Sequence, residues 1–238
     1  MVTPNIAAVL GAGPGLGAAV ARRFARAGYS VALLARRLES VQAAEREITA
    51  AGGTAAFFAA DAADPASVAA AFAAVRARLG DPEVFVYNAG AFLPGAVTEI
   101  TPEQFEACWK ANCFGAFLGA REVIPAMLSH GRGTILLTGA TAALRGSANF
   151  SSLAVGKFGL RALGESLARE LHPRGIHVAH IIVDGAIATP RARAMYPGRP
   201  THTLLDPDSI AEAYWQLHRQ GPTAWTHELD LRPAVEKF

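Results

Sequence analysis

Strand-sized apolar runs alternate with alanine-rich helical segments along the chain, and this alternation limits the possible folds more than any other feature. The runs cover residues 6–11, 30–36, 54–61, 83–90, 134–139 and 176–185. They are apolar almost continuously rather than at every second position, which is typical of strands buried on both faces. Repeated strand–helix units give right-handed crossovers. We therefore expect an α/β fold with a doubly wound, mostly parallel sheet and helices on both faces, in a single domain over residues 1–238.

The remaining segments complete this prediction. Residues 101–129 are predicted as one long helix, and a last helix is expected in "DPDSIAEAYWQLHRQ", with Asp206 or Asp208 as its cap. A final strand is expected in "HELDLRP". Residues 186–205 show no clear period and are rich in proline and arginine, so we interpret them as a substrate flap. The flap side chains of interest are Arg191, Arg193, Tyr196 and Arg199.

Composition and charge exclude several classes of function. The net charge is +2, and the 22 basic and 20 acidic residues are scattered, so we expect no nucleic-acid or anionic membrane partner. The apolar runs are far shorter than the ~20 residues that span a bilayer, and nothing is typical of a secretion signal. The two cysteines, Cys108 and Cys113, lie five apart on a predicted helix, so we expect free thiols and a cytoplasmic protein.

A metal site is not expected either. His177 and His180 lie three apart in a predicted strand, so their side chains point to opposite faces. No His or Cys pair has ligand spacing on a suitable element.

A glycine-rich loop follows the first strand directly and opens the first helix. In "LGAGPGLGAAV", Gly11, Gly13, Gly15 and Gly17 permit a tight turn and leave backbone N–H groups, including that of Leu16, free to face a pyrophosphate. A strand–loop–helix context of this kind is typical of a Rossmann-type dinucleotide site. The alternative is a glycine-rich turn that binds no ligand.

Further motifs occur in a fixed order after this loop. Asp61 ends the third strand, and Asn88 and Gly90 belong to an Asn-Ala-Gly tripeptide after the fourth. Asn112 lies in "KANCFG" and Lys157 in "LAVGKFG", and Ile187 and Thr189 lie in "VDGAIAT". This order and spacing resembles the short-chain dehydrogenase/reductase family over nearly the whole chain. The resemblance implies an oxidoreductase with a nicotinamide dinucleotide cofactor.

The resemblance also implies roles for these residues. Asp61 would hold the adenine edge, and Lys157 would bind the hydroxyls of the nicotinamide ribose. Asn112 would support a water chain to that lysine, which makes Lys157 and Asn112 the candidate catalytic residues. Ile187 would lie beside the nicotinamide.

The end of the second strand predicts which dinucleotide binds. A carboxylate there would bond the ribose 2′-OH and repel a 2′-phosphate, but the position is Ala35, followed by Arg36 and Arg37. Because arginine pairs phosphate bidentately, NADP(H) is favoured over NAD(H). The alternative is that both arginines only line a solvated loop. The complete predicted cofactor set is Gly11, Gly13, Gly15, Leu16, Gly17, Arg36, Asp61, Asn88, Gly90, Lys157 and Ile187.

The resemblance fails at the residues that would transfer the substrate proton. In the family, a tyrosine four residues before the lysine carries this proton, and a serine thirteen residues before that tyrosine holds the carbonyl. The corresponding residues are Leu153 and Ala140, and neither can transfer a proton. A positioned acid contributes about 10²–10⁴-fold, so ordinary ketone reduction should be weak. The chain resembles a divergent subgroup that keeps the lysine and replaces the tyrosine with an apolar residue.

Other polar groups near this position are candidate replacements for the tyrosine. They are Thr138, Thr141, Ser151, Ser152 and Asp184. Serine and threonine hydroxyls can orient a substrate, but they are poor acids and often only bond the local backbone. Asp184 is either a carboxyl group that keeps its proton beside an apolar surface or an acceptor for backbone amides in the turn.

Two functions are therefore open. One is an NADP(H)-dependent oxidoreductase with an unusual acceptor or proton donor, which acts on a small-molecule substrate. The other is a catalytically silent NADP(H)-binding protein that senses redox state. The resemblance also implies a homodimer or homotetramer, formed through helices around 101–129 and 149–171. The small residues of the second helix would permit close approach of a second copy, or they would only pack this helix on its own sheet: Ala154, Gly156, Gly159 and Ala162.

Overall fold

A seven-stranded sheet forms the centre of the molecule, in the order β3-β2-β1-β4-β5-β6-β7. The structure is a computed structural model that describes residues 5–236, apart from the side chain of Arg191. The strands are β1 Ile6–Leu10, β2 Ser30–Ala35, β3 Thr54–Ala59, β4 Val84–Tyr87, β5 Gly133–Thr138, β6 Ile176–Val183 and β7 Glu228–Leu231. Each of the six strand pairings is parallel. The predicted doubly wound sheet is confirmed, and it is parallel throughout rather than mostly so.

Eight α-helices cover the two faces of this sheet within the described residues. They are α1 Leu16–Arg26, α2 Gln42–Ala50, α3 Pro65–Arg78, α4 Pro102–Trp109, α5 Gly115–His130, α6 Ser151–Leu171, α7 Pro190–Met195 and α8 Pro207–His218. One apolar core packs α1, α2 and α8 on the sheet through residues such as Phe24, Ile48 and Leu217. The other packs α3, α5 and α6 through residues such as Phe72 and Leu160. No helix within residues 5–236 combines the length and apolar character that crossing a bilayer requires.

The strand order reverses between β1 and β4, and this reversal fixes where a ligand can bind. The chain leaves β1 towards β2 and β3 and then returns to add β4 on the other side of β1. The loops after these two neighbouring strands therefore diverge and open a crevice at their carboxyl ends. The loop after β1 carries the glycines, and the loop after β4 carries Asn88 and Gly90.

The predicted single helix over 101–129 is wrong in its middle. Residues Lys110–Phe114 form a π-helical turn between α4 and α5. Two backbone carbonyls of this region accept hydrogen bonds from side chains: Asn112 Nδ2 donates to Cys108 O at 2.9 Å, and the Tyr87 hydroxyl donates to Ala111 O at 2.7 Å. These side-chain bonds replace part of the regular helical ladder, and wider turns of this kind are frequent at functional sites.

The predicted flap is more regular than its sequence suggests. Residues 190–195 form the short helix α7, capped by Thr189, whose Oγ1 accepts from Ala192 N at 3.1 Å. A parallel bridge pairs Ile187 with Leu205 and so joins the two ends of the segment. Arg199 donates to Thr203 Oγ1 at 3.0 Å. The side chain of Arg191 lies outside the described residues.

Helix α8 begins where the sequence predicted, and a side-chain hydrogen bond links it to the last residue of β5. Asp206 is its cap, because Asp206 Oδ2 accepts from Ser209 N at 2.8 Å. Further along the helix, the buried hydroxyl of Tyr214 lies 2.8 Å from Thr138 Oγ1. Each of these two hydroxyls satisfies the other in an apolar core, where an unpaired hydroxyl is costly.

The Tyr214–Thr138 hydrogen bond gives a stability prediction. Tyr214→Phe leaves Thr138 Oγ1 buried without this partner, so the free energy of unfolding should fall by about 1–2 kcal/mol. Tyr196→Phe, which removes the same hydroxyl from an exposed ring, should change it by less than about 0.5 kcal/mol. Urea unfolding at one protein concentration measures both values. Combining Tyr214→Phe with Thr138→Val should lower the free energy of unfolding by less than the sum of the two single changes. An equally large loss of stability in Tyr196→Phe would contradict the importance of the Tyr214–Thr138 hydrogen bond.

Candidate active site

The glycine loop between β1 and α1 packs backbone against backbone. Gly11 has a φ of 95°, and a Cβ atom added to it would overlap the backbone nitrogen of Ala89. A Cβ atom added to Gly17 would overlap the carbonyl oxygen of Gly11. These glycines permit the turn and its close approach to the β4 loop. Leu16 begins α1 with its side chain buried in the core, so only its backbone N–H is available at the helix N-terminus.

A cleft of about 710 Å³ opens above this loop. It is lined by the predicted residues Gly11, Gly13, Arg36, Asp61, Asn88 and Gly90, together with residues of the β4 loop and α4. Gly13 has open space where a side chain would be, so its backbone is accessible from the cleft. The side chain of Asn88 has a structural role: its Nδ2 donates to Gly11 O at 2.9 Å, and this hydrogen bond holds the β4 loop against the glycine loop.

The two arginines that follow β2 lie at one end of the cleft. Arg36 and Arg37 both line it and are exposed. Within residues 5–236, neither guanidinium lies within ion-pair distance of a carboxylate, whereas Asp61 lines the same end of the cleft and accepts from Ala63 N at 3.0 Å through Oδ1. This donor set fits a phosphate beside a ribose and an adenine. The open glycine loop fits a pyrophosphate.

The ammonium group of Lys157 is buried next to Gly90, a lining residue of the cleft, and Lys157 is not itself among the residues that line it. Its Nζ donates to the carbonyl oxygen of Thr138 at 2.7 Å. Asn112 uses its amide nitrogen to bond Ala91 O at 2.8 Å, while its Oδ1 is buried and has no hydrogen-bond partner among the described residues. A Cβ atom added to Gly90 would lie 3.0 Å from Asn112 Oδ1 and 3.9 Å from Lys157 Nζ. Glycine at 90 therefore keeps a side chain out of the tight space beside Asn112 Oδ1 and Lys157 Nζ.

Burial lowers the pKa of this lysine. The pKa of Lys157 falls to about 8, against the opposing influence of Cys108 and Cys113. Burial also raises the pKa of the Cys113 thiol, although Lys157 opposes it. At neutral pH the ammonium form of the lysine predominates, and its remaining two protons can bond an oxygen ligand.

Sequence reasoning missed the part that Tyr87 plays in this site. It ends β4 directly before Asn88, and its buried hydroxyl bonds Ala111 O next to Asn112. Burial raises the pKa of Tyr87, so it is a fixed neutral donor. A buried tyrosine hydroxyl almost always finds a partner, which was the available signal. The partner itself is 24 residues away and could not be read from the sequence.

The structure places Leu153 one helical turn before Lys157 on α6, so the two share a helix face. Leu153 is partly exposed, and Ala140 lies just after β5. Most of the hydroxyls suggested as replacements are already engaged. Thr138 bonds Tyr214, and Ser152 donates to Leu93 O at 2.9 Å.

Asp184 is engaged as well, which corrects the two roles suggested for it. It is buried after β6, and its Oδ1 accepts a hydrogen bond from Thr141. Its Oδ2 forms an ion pair with Arg232 at 3.3 Å. Both oxygens of this carboxyl group are therefore engaged by side chains rather than by the turn amides, and they connect this turn to Thr141 and to the end of β7. Arg232 lies 48 residues further along the chain, beyond the reach of a local pattern.

The flap contacts the cofactor cleft at its first residues. A Cβ atom added to Gly15 would lie 2.7 Å from Thr189 Cγ2, so this part of the flap touches the glycine loop directly. Ile187 is partly exposed beside it. Among the residues that the structure describes, no group of three or more His, Cys, Asp or Glu is placed to hold a metal ion.

Comparisons with known proteins agree with this geometry. A family model described as short chain dehydrogenase matches residues 5–199. The 2,5-dichloro-2,5-cyclohexadiene-1,4-diol dehydrogenase of Sphingobium indicum is 32% identical over 186 residues, which is 78% of this chain and 74% of that protein. A short-chain dehydrogenase structure from Rhodopseudomonas palustris is 38% identical, with a TM-score of 0.84 over 96% of this chain and 98% of that one. A metagenomic short-chain oxidoreductase in complex with NADP is 30% identical, with a TM-score of 0.84 over 98% of both chains. The chain belongs to the short-chain dehydrogenase/reductase family.

Proposed function

We propose that the protein is an NADP(H)-dependent oxidoreductase whose cofactor side is complete and whose reaction face is altered. One observation carries this proposal: the buried ammonium group of Lys157 and the unpartnered acceptor of Asn112 lie next to Gly90, a lining residue of the cleft, while the position one turn before Lys157 is Leu153. A protein that had lost all use for the site would have no need to keep a buried ammonium group, which is costly to desolvate.

The preference for NADP(H) rests on Arg36 and Arg37, whose guanidinium groups are exposed at the cleft without an ion-pair partner among the described residues. They would hold the 2′-phosphate. The glycine loop would hold the pyrophosphate, Asp61 the adenine edge, and Lys157 the nicotinamide ribose. Bound NADPH supplies a hydride. The relative that is crystallised with NADP supports the same preference.

We further propose that Lys157 is the proton donor that remains at the reaction face. Thr138, Ser152 and Asp184 are committed to other partners, whereas Lys157 Nζ makes one hydrogen bond with the protein and is mostly ionised at neutral pH. Its proton would pass to the reduced acceptor directly or through one water molecule and would be replaced from solvent. The loss of a matched acid favours acceptors that delocalise charge or already carry a positive charge.

Steady-state oxidation of NADPH across panels of ketones, enones, imines and quinones tests the oxidoreductase. Turnover with any conjugated or cationic acceptor, above a Lys157→Met control, supports it. Tight NADPH binding with no turnover across every panel would instead favour the silent redox-sensing protein. The two free thiols, Cys108 and Cys113, support a reducing, cytoplasmic setting.

We also propose a homodimer or homotetramer, although through different residues from those first suggested. Gly156 and Gly159 pack within the chain, because Cβ atoms added there would meet Asn112 Cβ and Cys113 Sγ. Large apolar side chains are exposed on both α5 and α6, namely Phe117, Val155 and Phe158, and exposed apolar patches mark association surfaces. Light scattering at micromolar concentration should give a multiple of 24.9 kDa, and a strictly monomeric species would reject the proposal.

The cofactor preference gives a binding prediction. NADPH should bind more tightly than NADH, and Arg36→Ala should weaken NADPH binding by about 1–3 kcal/mol while it changes NADH binding much less, because a charge-assisted bond to the 2′-phosphate is lost. Titration of cofactor fluorescence measures both affinities. Arg78→Ala, which removes an exposed arginine of α3, is the matched control. Tighter binding of NADH by the native protein would contradict the assignment.

The proposed role of Lys157 gives a pH prediction. Reduction needs the ammonium form, and burial lowers the pKa of Lys157 to about 8, so the rate of NADPH oxidation should fall as the pH rises through about 8. An arginine keeps its proton over this range, so Lys157→Arg should remove the fall, whatever rate remains. Initial rates between pH 6 and 10 with an active acceptor provide the measurement. A native profile that stayed flat across this range would exclude Lys157 as the donor.

A further inference from the structure

Two phenylalanines form an exposed aromatic surface next to the altered reaction face. Phe150 directly precedes α6, and Phe92 lies in the loop after β4. Their ring centroids are 5.6 Å apart, with an angle of 47° between the ring planes. Phe92 is still 41% exposed despite this pairing, and Phe150 is partly exposed.

The helix places this surface in line with the reacting end of the cleft. Phe150 is the N-cap residue of α6, and Leu153 follows in its first turn, on the same helix face as Lys157. The side chain of Leu153 is partly exposed on this face. The cleft itself reaches Phe92, so this surface is continuous with the cofactor site.

The backbone holds the two rings in fixed positions. Gly95 N donates to Asn149 O at 2.9 Å, and Ser152 Oγ donates to Leu93 O at 2.9 Å. Asn149, with a φ of 65°, is the one non-glycine residue with positive φ in the described part of the chain. Asparagine adopts this left-handed conformation more readily than most residues, and here it accompanies the turn into α6. The two hydrogen bonds hold the loops that carry both rings, so the rings form a preformed surface, which reduces the entropy lost when a rigid ligand binds.

Charge is distributed unevenly along the cleft. Its charged lining residues, Arg36, Arg37 and Asp61, all lie at the end proposed for the adenosine phosphate. At the Phe92 end the lining residues are Leu93, Gln104, alanines and Cys108, and none of them is charged. The ammonium group next to Gly90, that of Lys157, is buried and is assigned to the nicotinamide ribose. An anionic ligand would therefore lose its hydration there without gaining a lining cation, whereas an apolar ring would gain contact with ring faces and edges.

We infer that the substrate of this enzyme is a neutral compound with an aromatic or conjugated ring, which packs against Phe92 and Phe150 with its acceptor carbon towards Leu153. The inference rests on the proposed function and names its substrate class. A conjugated ring also suits a site without a matched acid, since it delocalises the charge that the hydride brings.

The test is calorimetric titration of a probe into the full chain saturated with NADP+. Because the oxidised cofactor has no hydride to donate, a ketone can bind without being reduced. The probe is 1-tetralone, a neutral bicyclic compound with one aromatic ring. 1-Decalone has the same skeleton without the aromatic ring, and 1-naphthoate carries a negative charge. 1-Tetralone should bind more tightly than either. Phe92→Leu and Phe150→Leu keep an apolar side chain but remove the ring, and each should weaken 1-tetralone binding by about threefold to tenfold.

Phe57→Leu is the matched control, because Phe57 is a half-buried phenylalanine on β3 at the far edge of the sheet. It should leave the binding of both 1-tetralone and NADP+ unchanged, and NADP+ is kept saturating for every variant, with its affinity measured separately. The inference would be overturned if 1-decalone or 1-naphthoate bound as tightly as 1-tetralone, or if Phe92→Leu and Phe150→Leu bound 1-tetralone as tightly as the native protein. In either case, continued binding of NADP+ would leave the proposed function intact. If the native protein bound no NADP+, the proposed function would fail. The same probes would then be titrated into the free protein to show whether Phe92 and Phe150 bind an aromatic ring.

Discussion

The ammonium group of Lys157 is buried, and the surrounding structure is arranged to satisfy it. A charge in this position needs a hydrogen-bond acceptor, which the carbonyl oxygen of Thr138 supplies at 2.7 Å. The side chain of Thr138 is in turn fixed by Tyr214 of α8. On the opposite side, the π-helical turn positions Asn112 with one free acceptor, and Gly90 packs closely beside both groups because it has no side chain. Elements from both faces of the sheet thus converge on one ammonium group.

The sheet and the glycine loop were predictable because each depends on local sequence, whereas Lys157 was predicted from the resemblance to the family. Continuous apolar runs define buried strands, and a glycine loop between strand and helix defines a nucleotide site. The features that were not predicted depend on distant partners. Tyr87 and Asn112 widen the helix through bonds to backbone carbonyls, and Asp184 is neutralised by Arg232. Gly156 suggested contact with a second copy, but it packs on Asn112 within the chain. The sequence shows that a residue is small or polar and where it falls on a helix, but it does not show which distant residue it contacts.

Leucine at position 153 changes the chemistry of the site in a coherent way. In our proposal it replaces a proton donor with an apolar side chain, three residues after Phe150, whose ring pairs with that of Phe92. A drier face with one remaining ionisable donor suits acceptors whose own electrons spread the incoming charge. The cofactor end keeps its charged residues, so binding and reaction depend on separate parts of the cleft.

The central claim is that this site is a working cofactor site from which a carbonyl-protonating pair is missing. Leu153→Tyr combined with Ala140→Ser restores that pair, and the measurement is NADPH oxidation with a simple ketone. The account predicts a gain of about 10²-fold or more over the native protein. Leu153→Phe with Ala140→Ser, which adds the ring without its hydroxyl, should give no gain. No gain from the tyrosine variant, with NADPH affinity unchanged, would contradict the claim, because the cleft would then not admit a carbonyl at hydride distance.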